Sequence, residues 1–242
     1  MATNTNPDVS NAGAGTGTGA EAECRLTVLC SGNGSNLQAL IDATASGQIP
    51  RSRIVKVFVN RKTAFAATRA QKAGIPSDYF NLVSGGFQQK GEKDEARLKD
   101  ARARYDAALA EKVLEDKPDL VVLAGWMHVF GEPFLTPVGA AGVPVINLHP
   151  ALPGKYDGAN AIERAYRDFQ AGKLENDHTG IMIHYVTIEV DRGEPIMTQT
   201  VECRQGDTLE DLENRIHAAE HSLIVQATAK VVGDILAKPS SG

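Results

Sequence analysis

Residues 143–158 read VPVINLHPALPGKYDG. A short apolar strand runs straight into Asn147, Leu148 and His149, and then Pro150, Pro153 and Gly154 halt regular structure. Residues two apart on a strand share a face, so Asn147 and His149 are expected to project side by side from the strand's carboxyl end. In an open α/β sheet that end is where ligands bind. An amide donor beside an imidazole, followed by a stiff loop, reads as the start of a site.

Working outward, strand and helix alternate. CRLTVLC is a short apolar strand, SGNGSN a turn, and Leu37, Leu40 and Ile41 carry helical spacing. RIVKVFVN predicts a second strand, residues 63–73 a helix that Gly74 ends, and SDYF a brief third strand. Residues 92–116 form a charged stretch with Leu98, Tyr105, Leu109, Val113 and Leu114 at helical intervals, stopped by Pro118. DLVVLAG has no alternation, as expected for a strand buried on both faces. After the 144–149 strand come a loop, a helix over 159–171, and two strands, IMIHYVTIEV and PIMTQTVEC, separated by DRGE. A long helix over 208–236 closes the chain. The pattern predicts an α/β fold: a mostly parallel sheet with helices on both faces and an antiparallel C-terminal strand pair.

The 242 residues are 42% hydrophobic and 23% charged, ordinary for a globular protein, with formal net charge -5. That balance argues against nucleic acid as a partner, and no apolar run approaches membrane-spanning length. Three cysteines without paired spacing point to reduced thiols and a cytoplasmic protein. Residues 1–23, rich in Gly, Ala, Thr and Asn, are expected to be a disordered tail without signal-peptide character, and 24–238 a single domain. Oligomeric state, monomer or homodimer, is left open.

In the first turn, Gly32, Asn33, Gly34, Ser35 and Asn36 lead from a strand to a helix N-terminus, where free N–H groups and the helix dipole favour an anion. Leu37 stands where a dinucleotide fingerprint wants a small residue, so a monophosphate cradle fits better than NADP, with a plain capped turn as the bland alternative. Asp191, in VDRGEP, is by spacing alone a turn residue. Should it reach His149, a carboxylate would raise the imidazole's pKa and fix its tautomer. His184 reads equally as a core histidine or a site residue, and His128, His178, His217 and His221 as surface positions. No histidine pair has metal-ligand spacing, so no metal is expected. No GxSxG-like context marks a nucleophile, which favours direct group transfer over a covalent intermediate.

SGNGSNLQALIDA, VVLAGWM, INLHPALPGKY, VDRGEPI and GDTLEDLENRIHAAEH occur in that order, and together they resemble the phosphoribosylglycinamide formyltransferase family from Cys24 to about Val232. The resemblance implies a Rossmann-like fold and formyl transfer from 10-formyltetrahydrofolate, as co-substrate, to the amine of glycinamide ribonucleotide in purine biosynthesis. It implies substrate phosphate at Gly34, Ser35 and Asn36, catalysis by Asn147, a cationic His149 and Asp191, and amine-substrate binding by Glu220. Met127, His128, Val129 and Phe130 should lie along the folate, with Arg102 as a further folate contact. His128 departs from the arginine many members carry there, and KYDGANAIERAY from the KYPGLHTHRQAL type. Formyltetrahydrofolate hydrolases, methionyl-tRNA formyltransferases and NADP-binding modules are the rival readings; the first two are expected to carry an additional domain.

Overall fold

A computed structural model describes residues 22–238. All but Ala22 and Glu23 of the N-terminal tail, and residues 239–242, lie outside that range. The elements follow in the order β1 (Cys24–Cys30), α1 (Ser35–Ala45), β2 (Ser52–Val59), α2 (Ala66–Lys72), β3 (Ser77–Tyr79), α3 (Glu95–Glu115) and β4 (Leu120–Leu123). Then come α4 (Glu132–Ala140), β5 (Val145–His149), α5 (Ala161–Gln170), β6 (His178–Tyr185), β7 (Pro195–Glu202) and α6 (Leu209–Leu236).

One seven-stranded sheet has the order β3-β2-β1-β4-β5-β6-β7. The five strands from β3 to β5 are parallel, and β6 and β7 each pair antiparallel with the strand before. This is the predicted fold class. Alternate residues of the central strands divide the core. Leu26, Val28, Leu120, Val122, Ile146 and Leu148 pack beneath α1, α5 and α6. Leu29, Val121, Leu123 and Val145 pack beneath α3 and α4 with Tyr105, Leu109, Phe134 and Val138. The chain travels outward from β1 to β3 and returns beside β1 as β4, so a crevice opens where the connections diverge.

Two features depart from the sequence reading. Helix α4 occupies EPFLTPVGA, a stretch whose two prolines hide its pattern. Pro133 falls in the first turn, where a missing N–H costs nothing, and Phe134 and Val138 bury one face at i, i+4. The strand expected over 181–190 instead starts at His178 and ends at Tyr185. Beyond Val186, whose N–H still reaches the Val145 carbonyl at 2.8 Å, no neighbouring strand supports it. Residues 187–191 therefore form a loop, with Ile188 60% exposed.

Candidate active site

Ser31 joins the two loops that flank the crevice. Its N–H donates to the Gly125 carbonyl at 3.0 Å, and its buried hydroxyl accepts from the Met127 N–H at 2.8 Å. Gly34 follows at φ 75°, and a side chain there would meet Ala66 at 2.8 Å, so a glycine is required. Helix α1 then begins with no side-chain cap, leaving the first-turn N–H groups of Ser35 and Asn36 open. Asn36 donates from Nδ2 to Glu220 Oε2 at 3.0 Å. Burial pushes the Glu220 carboxyl above its ordinary range, with the Asn36 bond and nearby His217 opposing. Gly32, Asn33, Gly34, Ser35, Asn36 and Glu220 all line one cavity of about 570 Å³.

A second cavity, about 300 Å³, lies on the other side of β5. Asn147 and His149 share the strand face that carries Val145, so both turn toward this cavity. The walls include Met127, His128, Val129, Phe130, Val186, Val190 and Asp191. Gly125, Met127, Leu148, Pro150, Asn160 and Ala161 line both cavities, so the two adjoin.

Asp191 does reach the histidine. Its Oδ2 lies 3.3 Å from His149 Nδ1, its Oδ1 3.5 Å from His184 Nε2, and the Gly158 N–H donates to Oδ2 at 2.8 Å. Antiparallel pairing sets Asn147 opposite His184, whose Nε2 is 3.2 Å from Asn147 Nδ2. His184 Nδ1 donates to the Tyr185 carbonyl at 2.9 Å. His184 thus belongs to the cluster, which its equal reading as a core residue left undecided; the missing signal was strand register. His149 Nε2 is buried and bonded to no protein atom.

The electrostatics correct one expectation. Burial lowers the His149 pKa and outweighs the opposing pull of Asp191, while His184 lowers it further, so the imidazole is neutral near pH 7 rather than cationic. Burial alone would raise Asp191. Hydrogen bonds from His184 and Gly158, with the neighbouring imidazoles, overcome it and hold the carboxyl below its usual range.

One further placement differs from a surface reading. His128 turns away from solvent, its Nε2 2.6 Å from Asp106 Oδ1 on α3 and its ring edge-on to Tyr105 and Phe130. Asp106 Oδ2 also accepts from the Gly131 N–H at 2.8 Å, which ties the 127–131 loop to α3. Sequence reading missed Asp106; its place on the buried stripe of α3 was the available signal. Arg102, expected as a folate contact, is exposed on α3 and lines neither cavity. No helix of the described residues is long and apolar enough to cross a membrane, and all three cysteines are buried and unpaired.

The formyl transferase family model matches residues 24–228. A phosphoribosylglycinamide formyltransferase of Schizosaccharomyces pombe is 45% identical over 210 residues, which covers 86% of this chain and 97% of that protein. The enzyme of the same name from Saccharomyces cerevisiae is 45% identical over 215 residues, with the same coverage. The crystal structure of glycinamide ribonucleotide transformylase 1 from Symbiobacterium toebii superimposes with a TM-score of 0.72 at 31% identity, covering 88% of this chain and 89% of that one. With the family model spanning most of its length, this chain belongs to the formyl transferase family, among the phosphoribosylglycinamide formyltransferases.

Proposed function

We propose that the protein transfers a formyl group from 10-formyltetrahydrofolate to the amine of glycinamide ribonucleotide, a step of purine biosynthesis, and does so in the cytoplasm. The observation that carries the reading is the convergence of Asn147, His149 and Asp191 where two cavities meet. One cavity has open helix N–H groups suited to a phosphate, with the buried Glu220 carboxyl suited to the amine-bearing end. The other has apolar walls from Met127, Val129, Phe130 and Val190 and a few polar groups at one end, which suits a flat folate ring.

Clamping both partners across this junction removes much of the entropic barrier to their meeting, roughly 7–11 kcal/mol in well-oriented systems. Neutral His149, with its Nδ1 3.3 Å from Asp191, supplies the ring nitrogen that takes the amine proton as the amine attacks the formyl carbon. The imidazolium so formed is stabilised by ionised Asp191 and can return the proton to the departing folate nitrogen. The Asn147 amide donates to the oxyanion that develops on the formyl oxygen.

The test is a formyl-transfer assay run with and without the amine acceptor, on the parent protein, Asn147→Ala and Asp191→Asn. Transfer should require the amine, and each variant should lose about 100–1000-fold in kcat with little change in Tm. Formate release at a comparable rate without the amine would instead identify a hydrolase. Near-parental turnover in either variant removes that residue from the mechanism.

A further inference from the structure

The loop over 154–160 is built on backbone that side chains rarely adopt. Gly154, Tyr156, Gly158 and Asn160 all have positive φ, and at Tyr156 (51°) and Asn160 (57°) no glycine relieves it. Such a shape persists only when surrounding contacts over-determine it. Three of them do so here. Tyr156 donates its hydroxyl to Asp168 Oδ2 at 2.8 Å, and Arg164 donates to the Asp157 carbonyl at 2.7 Å. Across the crevice, Arg192 grips the Asp157 carboxylate through Nε at 2.7 Å and Nη2 at 2.5 Å.

The last contact is placed differently from the others. Arg192 directly follows Asp191, itself at φ 55°, and Asp157 directly precedes Gly158, whose N–H donates to Asp191 Oδ2. Two adjacent cross-loop links therefore join the same two segments: 157 to 192 and 158 to 191. Before Asp191 the chain is loosely held, with Ile188 and Val190 exposed. Gly154 also lies close beneath the Arg192 guanidinium, where a side chain would be 3.7 Å from Nη1. Both Asp157 and Arg192 lie in stretches read from the sequence as a departure or a turn, and neither touches the cavity end of His149.

We propose that the Asp157–Arg192 ion pair is a strap that positions Asp191 against His149, making both residues positioning residues for formyl transfer. The inference rests on the proposed role of Asp191. Without the strap, only the Gly158 N–H still ties the Asp191 segment to the 154–160 loop, and the remaining contact of the carboxylate, with His184, comes from β6. Displacement by about an ångström is enough to lose on the order of 100-fold in rate. The pair is half-exposed, so its removal leaves the fold intact.

Steady-state kinetics on the full chain test this with Asp157→Asn, Arg192→Gln, the double variant, Arg192→Lys, and Asp191→Asn in parallel. Each neutralising single variant is expected to lower kcat about 10–100-fold, with KM for glycinamide ribonucleotide within about twofold. The double variant should be no slower than the slower single, and Arg192→Lys should recover most of the rate. Tm should move by no more than about 4 °C, the scale of an exposed ion pair in a chain of this length. Parental kcat in the single variants overturns the strap, as does a kcat loss matched by an equal rise in KM, or a loss that Arg192→Lys fails to relieve. Retained turnover in Asp191→Asn overturns the catalytic reading beneath it; loss there with parental rates in Asp157→Asn overturns the strap alone.

Discussion

Replacing Gly193 by alanine isolates the placement of Asp191 without touching its carboxylate. Gly193 lies two residues on, where the chain presses against β6. An added Cβ would meet the Tyr185 carbonyl oxygen at 1.6 Å, its carbon at 2.8 Å, and His184 Nδ1 at 3.4 Å. Real Cβ contacts stay above 3.0 Å, so the segment has to retreat by at least about 1.4 Å from the strand. Tyr185 cannot yield in its place, because it pairs with Ile146 across the sheet and the next N–H, of Val186, is held by the Val145 carbonyl at 2.8 Å. The 187–191 loop, unsupported by any strand, absorbs the shift and carries Asp191 with it. A displacement of that size parts a 3.3 Å contact to His149, and misplacement of about an ångström costs on the order of 100-fold in rate. Overpacking of this kind costs about 1–3 kcal/mol, hence a Tm lower by about 2–12 °C. The control is Gly139→Ala on α4, where an added Cβ meets nothing within 4 Å. Measured by Tm and by kcat for formyl transfer, Gly193→Ala should lose both while the control keeps both. A folded Gly193→Ala protein with kcat within threefold of the parent would refute the claim that Asp191 has to be held where it is.

Two further outcomes follow from the buried charges. His149 is held below its ordinary value near 6.5, so as pH falls the unfolded chain takes up its proton first and folding loses stability through that window. Asp191, also depressed, adds stability above its unfolded value near 3.8 that is lost only as pH drops through its folded value. The decline in Tm between pH 7 and 5 should therefore be shallower in His149→Gln than in the parent, not abolished, because burial depresses His221 as well; an unchanged slope would show that His149 does not titrate there. Glu220 is shifted the opposite way, so its ionised form at neutral pH works against folding. Glu220→Gln can keep the Asn36 bond, and Tm at pH 7.5 should hold or rise while KM for glycinamide ribonucleotide rises about 10–100-fold, the range for a lost hydrogen bond to a charged group. An unchanged KM would remove Glu220 from the substrate site.

What the sequence disclosed, and what it withheld, follows the range of each interaction. β1, β4 and β5 were legible because strands buried on both faces write apolar runs, and α6 because Leu209, Leu212, Ile216, Leu223 and Val231 form an apolar stripe at helical spacing. The turn from Gly32 to Asn36 was legible as a strand-to-helix turn because strand, glycines and helix start are neighbours in the chain. Helix α4 was not, since only tertiary burial of Phe134 and Val138 outweighs its two prolines. Nor was the end of β6, where Ile188 and Val190 continue an apolar pattern that has no strand to pair with and becomes the border of a cavity. The inward turn of His128 depended on Asp106, 22 residues earlier, and no local pattern marks that distance.

The charge state of the cluster was least legible, because it depends on competition for one nitrogen. His184 donates from Nδ1 to the Tyr185 carbonyl at 2.9 Å. Its Nε2 stands 3.2 Å from Asn147 Nδ2 and 3.5 Å from Asp191 Oδ1, so an amide and a carboxylate converge on the same nitrogen. The Asn147 amide carries two N–H groups, so contact with the ring through one leaves the other for a ligand. Under the proposed mechanism, burial of His149 sets the starting state, because a neutral ring can accept the amine proton and a cationic one cannot, and Asp191 acts later, by stabilising the imidazolium once the proton has arrived.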